Sequence, residues 1–375
     1  MGISLYIHIP FCKSKCMYCD FCSYGKAESL MTAYTRALCD EILLTCKGKL
    51  IDTVFIGGGT PTYLSLEAWN ILKKTIKQLV ITEKAEFTVE CNPGTIDEEK
   101  LQILKEVGVN RISIGLQAWQ DRLLKKLGRI HSKMDFINSY ELIRKFGFKN
   151  INVDIMFGLP DQSEEDFKET LSNVAELNPE HISSYSLIVE EDTPFGVMYK
   201  EDKLKLPDEE QERRMYEEAV GFLKEKGYLQ YEISNFSRQG FECRHNSTYW
   251  ELKEYIGCGA GAHSYVKGIR YNNIENIEKY IQSVNCSGHG IVESRENSVK
   301  DDMEEFMFMG LRMTKGVSKK EFYNRFRVSI GQVYEDVIKK YRTLNMLVDN
   351  GDNLYLTELG IQLSNTVMSD FILDK

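Results

Sequence analysis

The stretch HIPFCKSKCMYCDFCSY, His8–Tyr24, places four cysteines (Cys12, Cys16, Cys19 and Cys22) within eleven positions, directly after a short apolar run. Four thiols this close can hold a structural metal, form disulfides or carry redox chemistry. In a reducing compartment a tight cysteine cluster binds metal more often than it forms disulfides. Zinc sites usually use two-ligand knuckles separated by a longer loop. Here Cys12-x3-Cys16-x2-Cys19 packs three thiols on one loop after a strand. That suits three corners of a cubane iron–sulfur cluster, whose irons are bound by thiolates. Three thiolates leave one iron with an open position, where a substrate or cofactor can bind. A structural zinc loop using all four cysteines stays open as the alternative. Cys39, Cys46, Cys91, Cys243, Cys258 and Cys286 are scattered and read as buried or half-buried thiols.

The 375 residues, 42% of them apolar, are enough for one large domain or a large one plus a small one. A net charge of −9 argues against a protein built to grip nucleic acid, since phosphate contact needs a basic face. The opening MGISLYIHIPF lacks the basic, apolar and small-residue pattern of a signal peptide. No run approaches eighteen uninterrupted apolar residues, and Tyr6 breaks the myristoylation pattern after Gly2. The expected location is cytoplasmic, with any membrane contact peripheral.

Strand-like and helical segments alternate outward from the cysteine loop. Strands are expected at 4–9, 52–56, 86–90, 111–115, 150–157 and 181–189, with helices at 28–46, 65–80, 97–107, 132–146 and 163–176. Six strand–helix alternations imply parallel strands with helical crossovers. Gly57–Gly59, Glu90, Gln117, Asp154 and Ser186 all fall at or near strand carboxyl ends, where barrels place their sites. A doubly wound sheet would gather its ligand at one switch point instead. Six units are too few to close an eightfold barrel, so an open, partial (β/α)6 barrel is expected. All seven prolines lie at or before Pro207, and the composition changes there. A helix near 208–226 precedes an irregular stretch at 231–250 and a glycine-rich one at 256–265. From about 300 two helices and a hairpin, turning at Asn350-Gly351, resemble a winged helix. That segment carries slightly more acid than base, which disfavours a DNA-binding use.

The C-x3-C-x2-C pattern resembles the radical S-adenosylmethionine (radical SAM) superfamily, and GGGTPTY at 57–63 strengthens the likeness. The resemblance implies a [4Fe-4S] cluster on Cys12, Cys16 and Cys19, its open iron chelated by SAM. Segments 5–12 (LYIHIPFC), 57–64 (GGGTPTYL), 90–95 (ECNPGT), 111–117 (RISIGLQ), 127–132 (LGRIHS), 152–160 (NVDIMFGLP) and 181–187 (HISSYSL) are similar, in order, to the anaerobic coproporphyrinogen-III oxidase-like branch. Carried over residue by residue, the likeness implies SAM contacts at Tyr6, Tyr18, Gly58, Gly59, Thr60, Glu90, Gln117, Arg129, Asp154 and Ser186.

Two groups of that branch part at this loop. The oxidase group, which acts on a porphyrinogen, has a fourth cysteine two residues after the third and a substantial segment ahead of its cluster. Here Phe21 holds that position, Cys22 comes one residue later, and only eleven residues precede Cys12. YEISNF (231–236), ECRHN (242–246), HNSTYW (245–250) and GAGAHSY (259–265) instead resemble the heme-chaperone group. That likeness implies a carrier rather than an enzyme, which holds heme and passes it to apo-hemoproteins such as respiratory enzymes, with dimerisation linked to the cluster. A neutral imidazole is a common axial ligand of heme iron, so His245 is the expected ligand, with His263 and Cys258 behind it. Tyr249 and Trp250 could stack on the porphyrin. The expected layout is a radical SAM barrel at 1–230, a connecting region at 231–299 and a smaller, mostly helical domain at 300–375.

Overall fold

Alternation along six strands builds the frame that carries the cysteine loop. The computed structural model describes residues 2–373; the expected outer limits at residues 1 and 375 lie outside these. Strands β1 (Ile3–Ile9), β2 (Leu50–Gly58), β3 (Val80–Cys91), β4 (Arg111–Gln117), β5 (Ile151–Phe157) and β6 (His181–Ser186) pair in parallel and in chain order. The crossovers are α1 (Met31–Thr45), α2 (Leu66–Ile76), α3 (Glu98–Glu106), α4 (Lys133–Lys145) and α5 (Glu164–Glu176). Local chemistry starts these helices. Ser65, Asp97, Ser132 and Ser163 each accept a hydrogen bond from the first turn, and Ser132 and Ser163 form capping boxes with Asp135 and Asp166. Each cap stabilises its helix by roughly 1 kcal/mol.

The two strand faces differ in chemistry. Leu5, Ile7, Val54, Ile56, Phe87, Val89, Ile112, Ile114, Val153 and Ile155 are buried under the helices with Leu38, Trp69, Leu104, Phe136 and Phe167. Burying each such side chain contributes about 1.5–3 kcal/mol. The intervening positions turn inward and are largely polar: Ser4, Thr53, Glu86, Arg111, Asn152 and His181 among them. Alternation with a period of two therefore survives in strands buried on both faces, because the lumen is built to hold polar groups.

The barrel is partial, since β1 and β6 do not meet. After α6 (Glu209–Glu225), the chain adds β7 (Leu229–Glu232) and β8 (Asn235–Ser237); β8 pairs antiparallel with the edge at β6, and β7 pairs antiparallel with β8 outside it. Helix α7 (Arg244–Trp250) follows. Then β9 (Tyr255–Cys258) pairs in parallel with β1, and β10 (His263–Val266), β11 (Ile269–Asn273) and β12 (Ile291–Glu296) continue the sheet outward to twelve strands. The stretch expected to be irregular at 231–250 is thus two strands and a helix. Strands of three or four residues are too short to show a period in sequence, and pairing at the sheet edge, β8 on β6 and β7 on β8, decides their shape.

The chain then forms α8 (Val299–Gly310), α9 (Lys319–Phe326) and α10 (Ile330–Thr343), with strands β13 (Val317–Ser318), β14 (Leu347–Asp349) and β15 (Asn353–Leu356). Asn350 Oδ1 accepts from the Asp352 and Asn353 amides at the expected turn. Phe306, Phe322, Tyr334, Tyr341, Leu354 and Phe371 form a second core. No helix among the described residues is long and apolar enough to cross a membrane.

Candidate functional site

The cysteine loop leaves the sheet after Ile9 and is closed at its base. Phe11 and Cys12 pair with Tyr24 and Gly25, and the Tyr24 amide donates to Pro10 O at 2.7 Å. Across the loop, the Met17 amide donates to Leu127 O at 3.0 Å. Cys12 Sγ lies 3.5 Å from Thr60 Oγ1, and Arg129 Nη1 donates to Cys16 Sγ at 3.5 Å. Burial pushes the Cys12 and Cys19 thiols up. Cys22 is turned elsewhere. Its thiol donates to Glu275 O at 3.6 Å, and a Cβ at Gly261 would sit 2.9 Å from its sulfur. Phe21 is 64% exposed, pointing away from the loop's interior.

The carboxyl ends of the strands bring most of the expected SAM residues beside this loop. Gly58 has φ +105°, and a Cβ there would lie 2.3 Å from the His8 ring. At Gly59 a Cβ would meet Phe11 O at 2.8 Å, so only glycine lets β2 pass under the loop. Glu90 accepts from the Gly58 amide at 3.0 Å and is pushed up to about 8, by burial first and Asp154 second. Asp154 accepts from Ser113 Oγ at 3.0 Å and Asn152 Nδ2 at 2.7 Å; burial raises it despite these donors. Arg129 Nη2 donates to Asn92 Oδ1 at 3.0 Å and Gly115 O at 2.6 Å, while its Nε has no partner among the described residues. Thr60 Oγ1 accepts from Asn92 Nδ2 at 2.8 Å. Gln117 stands at φ +72° after a register shift in β4, a strained backbone of the kind that marks functional sites. Tyr18 sits among Arg129, Cys16, Cys19 and Asp154; burial raises its hydroxyl pKa.

Two expected residues stand apart from that group. Tyr6 lies deeper in the lumen, bonded to His8 Nδ1 at 2.9 Å, its ring beside those of Phe55 and His245. Ser186 faces outward and donates to Glu212 Oε1 of α6 at 2.5 Å.

The HNSTYW segment lies at the opposite end of the lumen, where α7 plugs the barrel. Strand after strand offers it a polar group. Ser4 of β1 bonds Thr248 at 2.9 Å, and Thr53 of β2 bonds His245 Nδ1 at 2.8 Å. Glu86 of β3 accepts from the His245 and Arg244 amides, both at 2.9 Å, and from the Cys243 thiol at 3.5 Å. From β6, His181 reaches Tyr231 OH at 2.9 Å, and that hydroxyl accepts from the Cys243 amide at 3.2 Å. His245 is 0% exposed, and its Nε2 bonds Tyr249 OH at 2.8 Å. Burial first, and the charge of Arg111 second, lower its pKa to about 3, so the ring is neutral.

The imidazole expected to meet a heme iron therefore faces the lumen with both nitrogens engaged. The reason is tertiary: Thr53 and Tyr249 satisfy it from two sides. Tyr249 packs edge-on against Tyr255 at 4.7 Å, and Trp250 carries the Arg312 guanidinium over its ring at 4.4 Å. Of the second-choice ligands, Cys258 is buried and His263 is exposed on β10. The residues that seat the plug were not singled out from sequence. Their signal was present as alternation: Glu86-x-Thr88-x-Glu90 and Arg111-x-Ser113 are polar at every second position of otherwise apolar strands.

Comparison with known proteins places this arrangement. A model of the radical SAM superfamily matches residues 6–174, and one of the HemN C-terminal domain matches 297–363. Heme chaperone HemW of Bacillus subtilis is 41% identical over 98% of this chain and 99% of its own length. Heme chaperone HemW of Escherichia coli is 33% identical over 99% of this chain and 98% of its own. Among solved structures, coproporphyrinogen III oxidase (HemN) from Escherichia coli superposes with a TM-score of 0.86 at 23% identity, covering 99% of this chain and 90% of that one. The shared backbone with the oxidase is a matter of fold, whereas the chain-long identity decides membership: this chain belongs to the HemW family of the radical SAM superfamily.

Proposed function

We propose that this protein is a heme chaperone that binds heme and transfers it to apo-hemoproteins, carrying a [4Fe-4S] cluster and SAM. The observation that carries the reading is the chain-long similarity to curated heme chaperones, which spans the HNSTYW segment as well as the barrel.

The residues at the upper rim fit the cofactors. Cys12, Cys16 and Cys19 are free thiols on one loop, with Arg129 placed to offset negative charge on sulfur. Three thiols on one short loop suit three corners of an iron–sulfur cluster better than the two separated knuckles usual for zinc. A bound cluster of this type supplies one electron and an iron open to chelation. Glu90, buried and held near 8, would have its charged form stabilised by a group that donates hydrogen bonds or brings positive charge, such as the amino end of SAM. Asp154 can accept from ribose hydroxyls, and Arg129 can pair with a carboxylate. Gly58 and Gly59 leave room for close approach.

At the lower end, heme contact through His245 requires the plug to open, because Thr53 and Tyr249 hold both ring nitrogens. Titration of the reconstituted, anaerobic protein with heme, followed by its absorption spectrum, tests the reading. Binding is expected, weakened in His245→Ala. Incubation with SAM, a reductant and coproporphyrinogen III is expected to leave the porphyrinogen unchanged; formation of protoporphyrinogen would overturn the chaperone reading. Unaltered heme binding by His245→Ala would overturn the ligand assignment alone.

A further inference from the structure

Between the two ends of the lumen lies a charge that neither site explains. Arg111 is 2% exposed, and its Nε has no partner among the described residues. It pairs in register with Thr88. One inward step below Thr88 on β3 is Glu86, which seats the plug; one inward step above Arg111 on β4 is Ser113, which holds Asp154. Burial works against the guanidinium charge, and Cys243, Glu86, Tyr231 and Asp154 favour it. A buried arginine without a fixed bidentate partner leans on whichever carboxylate carries the less satisfied charge.

We propose that Arg111 is a positioning residue that couples the SAM pocket to the HNSTYW plug. When ribose hydroxyls donate to Asp154, that carboxylate draws less on Arg111. The guanidinium then turns to Glu86 and competes with the Arg244 and His245 amides for its oxygens. The first turn of α7 loosens, and His245 can leave Thr53 and Tyr249. SAM at the upper rim thereby favours the open plug, and coupling of this kind is reciprocal between the two ligands. The proposal rests on the reading of HNSTYW as the heme-contacting segment, but part of its test does not.

Hydrogen exchange of the reconstituted protein, measured with and without SAM, reads the coupling directly at the Arg244 and His245 amides. SAM is expected to speed their exchange by about fivefold or more in the wild type and to have no such effect in Arg111→Met. Heme titrations should show the same pattern: SAM tightens binding in the wild type and leaves Arg111→Met unchanged. Where Arg111→Met fails to fold, Glu86→Gln serves, since it keeps one acceptor for the plug and removes the charge that attracts Arg111; its SAM effect is also expected to vanish. A merely structural arginine would change melting temperature or heme affinity without changing their dependence on SAM. Exchange at 244–245 that ignores SAM in the wild type, or responds equally in both variants, overturns the coupling. Heme binding that ignores His245 while exchange still responds to SAM overturns the heme-site reading and leaves the coupling standing.

Discussion

The two ends of one barrel use the same strands in opposite ways. At the upper rim Glu90, Asp154 and Arg129 are buried: burial raises both carboxyl groups, and Arg129 Nε has no partner among the described residues. At the lower end, Ser4, Thr53, Glu86 and His181 spend their hydrogen bonds on α7 and the segment leading into it. A buried polar group without a full set of partners is costly, and such groups gather at the upper end. A fully bonded cluster points to a part that must move before it can bind anything. The upper end therefore reads as a preformed pocket and the lower end as a closed one.

Removing single groups from each end sharpens that contrast. The largest effect is expected in the loop: Cys12→Ala, Cys16→Ala or Cys19→Ala should each abolish the bound cluster, measured as iron per chain after reconstitution, while Cys22→Ala retains it. Iron lost equally from all four variants would break the division into three ligands and one packing cysteine.

Glu86→Ala comes next. It strands two backbone amides and the Cys243 thiol beneath the plug, and should destabilise the fold by on the order of 3 kcal/mol, read from urea unfolding. A shift under about 0.5 kcal/mol would mean that the plug is already open in solution.

At the upper rim, Glu90 has the opposite signature. Its folded pKa of about 8 lies above its ordinary 4.5, so the native state holds a proton that the unfolded chain has released. The stability it contributes is complete below about 4.5 and is lost as pH rises to about 8, with a slope of at most about 1.4 kcal/mol per pH unit. Glu90→Gln should remove that slope from the ligand-free protein; an unchanged pH profile would show that solvent reaches the carboxyl.

The smallest effect is expected at Phe21. Its side chain is mostly exposed, and Phe21→Ser should leave the iron content intact and stability within about 0.5 kcal/mol. Loss of the cluster in that variant would make Phe21 part of the loop's packing rather than an exposed spacer.

How much of this was readable beforehand depends on distance along the chain. The cysteine loop spans eight residues from Cys12 to Cys19, so its spacing already states its geometry. The six parallel strands were legible because each carries enough residues to show its run and its crossover. β7, β8 and α7 were not, since segments of three to seven residues take their form from the edge they join. Ser186 illustrates the limit at single positions: it lies at a strand end with the pocket residues, yet alternation turns it outward to Glu212.

Local chemistry in the sequence was thus sufficient for the cluster loop, the glycine passage under it and the partial barrel, because each depends on neighbours in the chain. Tertiary structure alone decided that His245 is sealed, because the seal comes from Thr53, Glu86 and Tyr249, of which two lie more than a hundred and fifty residues away. It also decided the place of Arg111, which strand register sets opposite Thr88, buried and with its Nε unpartnered among the described residues. Spacing can be read along a chain; a register between distant strands exists only once hydrogen bonds have been made between them.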